Sequence, residues 1–126
     1  MRSSYLTSLT AGADIDHRGT PFTEDLLRDL LDALRDQDTD LPVLGTARFD
    51  EAVFGGAANF ADAQFTQAIF SEAIFADSAG FRYTRFEEIA KFRGARFGGE
   101  TSFDGAQFDG HSSFRAAVFS EAAFFA

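Results

Sequence analysis

From residue 47 onward the apolar positions recur neither at the roughly 3.6 residues of a helix nor at the roughly 2 of a strand; they recur at five or six. A phenylalanine stands at Phe49, Phe54, Phe60, Phe65, Phe70, Phe75, Phe81, Phe86, Phe92, Phe97, Phe103, Phe108, Phe114 and Phe119, and a Phe124-Phe125 pair follows. Two residues before each of these lies a small side chain. Most are alanine (Ala47, Ala52, Ala58, Ala63, Ala68, Ala73, Ala79, Ala90, Ala95, Ala106, Ala117); the others are Thr84, Thr101 and Ser112. A period near five makes each unit one short side of a coil. The Phe fills the centre, the small residue fits beside it, and the other three positions face solvent. The fourteen Phe residues are the predicted structural core.

Units such as Ala47-Arg48-Phe49-Asp50-Glu51 and Ala63-Gln64-Phe65-Thr66-Gln67 resemble the pentapeptide-repeat family. The resemblance implies an all-β fold, a right-handed four-sided parallel β-helix. Residues 47–126 would then form a solenoid of about four coils, starting at Phe49, Phe70, Phe92 and Phe114. The sixth residues fall at opposite corners: Ala57, Ser78, Glu100 and Ala122 after side two, Ile89 and His111 after side four. Placing Ala122 there requires Phe125 to be the inward member of its pair.

Residues 1–46 read differently. Leu26, Leu27, Leu30, Leu31 and Leu34 share one helical face, and Asp25, Asp29, Asp32 and Asp36 line much of the other, which predicts a helix over about 21–38. Thr20-Pro21 or Thr23 can start it, and Pro42 bars its continuation. Faint repeats at Leu9, Ile15 and Leu44 suggest an irregular first coil interrupted by the helix, which would cap the solenoid. An irregular arm over residues 1–20 is the alternative. At the other end the last coil has no cap, so Phe124 and Phe125 are candidates for self-association as a homodimer. The alternatives are a fragment of a longer chain and a last coil that frays.

Composition narrows the function classes. The absence of Cys excludes thiolate chemistry and disulfides, and no apolar run reaches membrane-helix length. Residues 1–6 lack a signal-peptide core, so a cytoplasmic protein without membrane association is expected. The net charge of −9 argues against direct nucleic-acid binding. Residues 1–46 carry nine acids and four bases, and residues 47–126 eleven and seven.

Candidate chemistry is sparse. His17 and His111 read as solvated side chains. Asp36, Asp38 and Asp40 resemble the start of a calcium loop, but Leu41 and Ala47 stand where Gly and Glu are needed. The pairs Glu87-Glu88 and Asp14/Asp16 read as solvated carboxylates, and Gly55-Gly56, Gly98-Gly99, Gly105 and Gly110 as corner turns. No catalytic, metal or cofactor site is expected.

The outward column before each Phe reads Val53, Ile74, Arg96, Val118 on side two and Arg48, Ile69, Lys91, Ser113 on side one. Val53, Ile69, Ile74 and Val118 are therefore candidate partner-binding residues, although β-branched residues also simply favour strands. The bases Arg82, Arg85, Lys91, Arg93 and Arg96 lie on different sides and read as a mixed-charge surface. The expectation is a non-enzymatic protein-binding or scaffold module. Because some members of the family mimic B-form DNA and bind DNA gyrase, protecting it from quinolones, that role is the alternative; here the repeat region is short and only mildly acidic.

Overall fold

The computed structural model describes residues 2–126, with side chains from Tyr5 onward; Met1 of the N-terminal segment lies outside the described residues. The chain is a right-handed, four-sided parallel β-helix of about four coils. One sheet covers sides four and one. It holds β1 (Ile15–Asp16), β3 (Val43–Arg48), β6 (Gln64–Ile69), β9 (Arg85–Lys91), β12 (Gln107–Phe108) and β13 (His111–Ser113). Side two is β2 (Pro21–Phe22), β4 (Val53–Phe54), β7 (Ile74–Phe75), β10 (Arg96–Phe97) and β14 (Val118–Phe119). Side three is β5 (Ala58–Asn59), β8 (Ala79–Gly80), β11 (Thr101–Ser102) and β15 (Ala123–Phe124).

Every pairing among these strands is parallel, and the registers place like on like: Phe54 on Phe75, Phe75 on Phe97, Phe97 on Phe119. The rings accordingly form four stacked columns. On side one Phe70 lies 5.1 Å from Phe49 and 5.0 Å from Phe92, with interplanar angles of 12° and 3°. Between columns the rings meet edge to face, as Phe70 and Phe81 do at 5.6 Å and 85°. Both geometries suit the ring quadrupole. From Phe49 through Phe103 the column residues are buried. Phe108, Phe114 and Phe119 are half-buried on the last layers. Phe125 stacks on Phe103 at 4.9 Å, which makes it the inward member of the terminal pair, with Phe124 facing outward.

The two kinds of corner differ in backbone. After sides one and three the chain turns in five residues, with a bond from the fourth residue's N–H to the Phe carbonyl, as in Ala52 to Phe49 at 3.0 Å. The third residue of each such turn is left-handed: Glu51, Asp62, Glu72, Tyr83, Gly94, Gly105 and Ala116 all have φ between 58° and 70°. The extra residue on side four is taken up as a bulge, where Glu87 and Glu88 oppose the single Thr66 of the coil below. The expectation had it one place later, at Ile89; Ile89 in fact pairs with Gln67.

At the N-terminal end the fold departs from expectation in three ways. The predicted helix is shorter: α2 spans Glu24–Ala33, capped by Thr23, whose Oγ1 accepts the Leu26 N–H at 3.1 Å. Pro21 and Phe22 are instead a strand, because Phe22 continues the side-two column and stacks on Phe54 at 5.2 Å. Beyond Leu34 the Asp36 carboxylate accepts the backbone N–H groups of Asp38 and Thr39, closing a turn. A separate helix, α1 (Arg2–Ser8), was not anticipated.

The register of the first coil also shifts. Ile15 pairs with Ala47, so it takes the small-residue position, and His17 takes the position of a central Phe. Its ring lies 6.2 Å from that of Phe49 and 15° from parallel, and Gly19 supplies the left-handed turn residue. Leu44 pairs with Phe65 as anticipated, whereas Leu9 only packs against the core edge. Side three of this coil is replaced by α2, whose buried Leu27, Leu30 and Leu31 join the same hydrophobic cluster together with Leu34 just beyond it. The helix thus covers an end that would otherwise expose a layer of aromatic rings.

Candidate interaction surface

A stacked coil fixes each outward residue in a column, so the surface is read column by column. On side two the registers align Pro21, Val53, Ile74, Arg96 and Val118. Val53, Ile74 and Val118 are exposed by 37%, 41% and 50%. Ile69 is not part of this face. It is half-buried on the neighbouring sheet, in the side-one column of Arg48, Lys91 and Ser113. Three of the four predicted partner-binding residues are therefore brought together, and the fourth lies around the corner.

That corner carries charge in an ordered way. In the first two coils it bears Asp50, Glu51, Ser71 and Glu72; in the next two, Arg93, Gly94, Arg115 and Ala116. Asp50 pairs with Arg48 at 3.0 Å, which holds the guanidinium above its usual pKa by hydrogen bond and charge. A shallow groove follows the corner, lined by Glu51, Glu72, Ile74, Arg96, Ala116 and Val118. The sequence reading found the bases but missed their acidic counterpart. Sorting the residues after Phe49, Phe70, Phe92 and Phe114 by coil reveals it. Of the other bases, Arg85 lies on side four and pairs with Asp109 at 2.9 Å, and Arg82 sits over the Tyr83 ring. The five bases do not form one patch.

The polar groups weighed for chemistry have structural partners. Glu87 and Glu88 accept hydrogen bonds from the Gln64 and Gln67 side chains one coil below, and Asp14 accepts the Thr46 N–H at 2.8 Å. Asp16 is held below its usual pKa by its bonds to Arg18. His17 is not the solvated group expected: it is half-buried, its Nε2 lies 2.9 Å from the Tyr5 hydroxyl, and burial pushes its pKa down. His111 is exposed, as expected. Among the described residues no three His, Cys, Asp or Glu side chains converge as metal ligands, and no helix is long and apolar enough to cross a membrane.

At the C-terminal layer Phe124 is 46% exposed on side three, and Phe125 is 55% exposed over Phe103. They face different directions, one across the side and one along the axis.

Parallel strands in three registered sheets around stacked aromatic columns define a β-solenoid repeat protein. The pentapeptide-repeat family matches residues 43–85 and 81–126, in nine copies, and the chain belongs to that family. Its fold is in general a non-catalytic structural one. No curated protein and no solved structure matches the chain.

Proposed function

We propose that this protein is a non-enzymatic scaffold that binds a protein partner on side two. The observation that carries the reading is the registered column of Val53, Ile74, Arg96 and Val118, whose three apolar members are exposed along one face of a rigid prism. Surface β-branched residues belong equally to ordinary strands, but here they sit beside a groove with charge at both ends. The backbone beneath them is held by the Phe columns, so binding would cost little ordering entropy. The alternative of DNA-gyrase mimicry needs a continuous acidic face, and the bases of the last two coils interrupt it.

The test is a capture experiment in lysate of the source organism, comparing the parent, Ile74→Asp on side two and Gln64→Asp on side four. Ile74 is exposed, whereas Gln64→Asp removes the hydrogen bond to Glu87 and sets two carboxylates together at a cost of about 1 kcal/mol, so circular dichroism must first show both variants folded. A protein retained by the parent and by Gln64→Asp, and lost with Ile74→Asp, is the expected result. Retention that Ile74→Asp leaves intact would remove this face from consideration.

A further inference from the structure

We infer that the partner recognised by this edge is a second copy of the chain, lying antiparallel against side two. The inference rests on the side-two reading above and adds the identity of the occupant.

Its basis is the charge reversal along the corner. In the first two coils Glu51 and Glu72 make no ion pair among the described residues; in the next two, neither do Lys91, Arg93, Arg96 and Arg115. One edge of the rod therefore has an unneutralised acidic half and an unneutralised basic half. A partner with the complementary pattern is needed, and the same edge run in the opposite direction supplies it.

The geometry is that of a two-fold axis lying in the interface, perpendicular to the rod and between the second and third coils. Such an axis reverses the order of the coils while keeping each corner opposite its own equivalent. The first coil then faces the fourth, and the second faces the third. Glu51 meets Arg115 of the other copy, and Glu72 meets Arg93 and Arg96. Val53 meets Val118, and Ile74 lies along the aliphatic stem of Arg96. Ala116, at the corner position that Glu51 holds in the first coil, leaves room for the incoming Glu51 carboxylate. The space over Gly94 is taken by Glu72 of the same chain, whose Cγ would lie 3.0 Å from a Cβ added there, so the incoming Glu72 is met beside it, at Arg93 and Arg96.

The far corner of side two bears Asp77, Glu100 and Glu121 without a base, so contact is confined to the side-one edge. Four coils at about 4.8 Å give an edge about 15–20 Å long. The buried area then falls below the roughly 1,200 Å² of stable complexes, which makes the dimer transient and sensitive to salt.

Sedimentation of the full chain over a wide concentration range tests this. At low salt the parent should show a reversible monomer–dimer equilibrium that weakens at least tenfold in Kd between about 0.05 and 0.5 M salt. Glu51→Arg/Glu72→Arg makes the edge net basic throughout, and Arg93→Glu/Arg96→Glu/Arg115→Glu makes it net acidic, with Lys91 the one unpaired base left on it among the described residues. Each should be a folded monomer by circular dichroism and sedimentation, and an equimolar mixture should restore the dimer as a heterodimer. A parent that stays monomeric at low salt and high concentration overturns the inference. Variants that dimerise like the parent overturn it too, and place self-association elsewhere, with the Phe125 end the next surface to alter. If the parent is monomeric yet Ile74→Asp still loses a captured protein, the side-two reading stands and only the second copy falls.

Discussion

Replacing Phe70 by alanine tests the claim that stacked rings, rather than hydrophobic content in general, hold this solenoid together. Phe70 is fully buried and stacks on two neighbours, Phe49 and Phe92, while the rings of Phe60, Phe65 and Phe81 meet it edge-on. Loss of a buried Phe costs about 3–5 kcal/mol through transfer and cavity terms. Two lost stacked pairs, at about 0.5–1.5 kcal/mol each beyond area, place Phe70→Ala at the upper end, about 4–5 kcal/mol. Phe119 supplies the internal control. It is half-buried and stacks on Phe97 alone, at 4.7 Å. With one open side and one lost pair, Phe119→Ala should cost about 1–2 kcal/mol. Urea unfolding followed by circular dichroism measures both, with the denaturant slope showing whether the transition stays cooperative. Equal losses for the two variants would refute the column account, because energy set by nearest-neighbour stacking must depend on position along the rod.

Two further predictions concern acid sensitivity and backbone strain. Burial holds the His17 pKa below its ordinary value, and Asp16 opposes this only in part. As pH falls through about 6.5, the unfolded chain takes up a proton that the folded one resists, so stability present at neutral pH should be lost progressively below about pH 7 until the folded His17 is protonated as well. His17→Phe, which continues the side-one column, should flatten that slope in urea titrations; an unchanged slope would assign it to other groups. Ala116 has φ 61° in a turn position that Gly94 occupies in the coil below. Ala116→Gly should therefore raise stability by about 0.5–1 kcal/mol, the left-handed penalty outweighing the entropy that glycine adds to the unfolded chain. A loss of stability in the same assay would contradict it.

The five-residue period of Phe and Ala made each unit one side of a coil with a large and a small residue inward, and the resemblance to the pentapeptide-repeat family supplied the four sides and the hand. Phe49 through Phe119 could be placed inward from spacing, whereas Phe125 as the inward member of the last pair was only a condition of the corner pattern, and its stack on Phe103 decides it. The period does not act where it breaks. Phe22 sits beside a strong leucine helix pattern, and only its inter-coil hydrogen bonds and its stack on Phe54 make it strand. His17 carries no apolar signature, and its place in the Phe49 column comes from the pairing of Ile15 with Ala47. The outward surface depends on the coil in the same way. Glu51 and Arg115 are distant in sequence, and Ile69 and Ile74 are close, yet the corner joins the first pair along one edge and divides the second between two faces. Local chemistry determines which residues turn inward; the registered stacking of coils, a long-range property, determines which outward residues become neighbours.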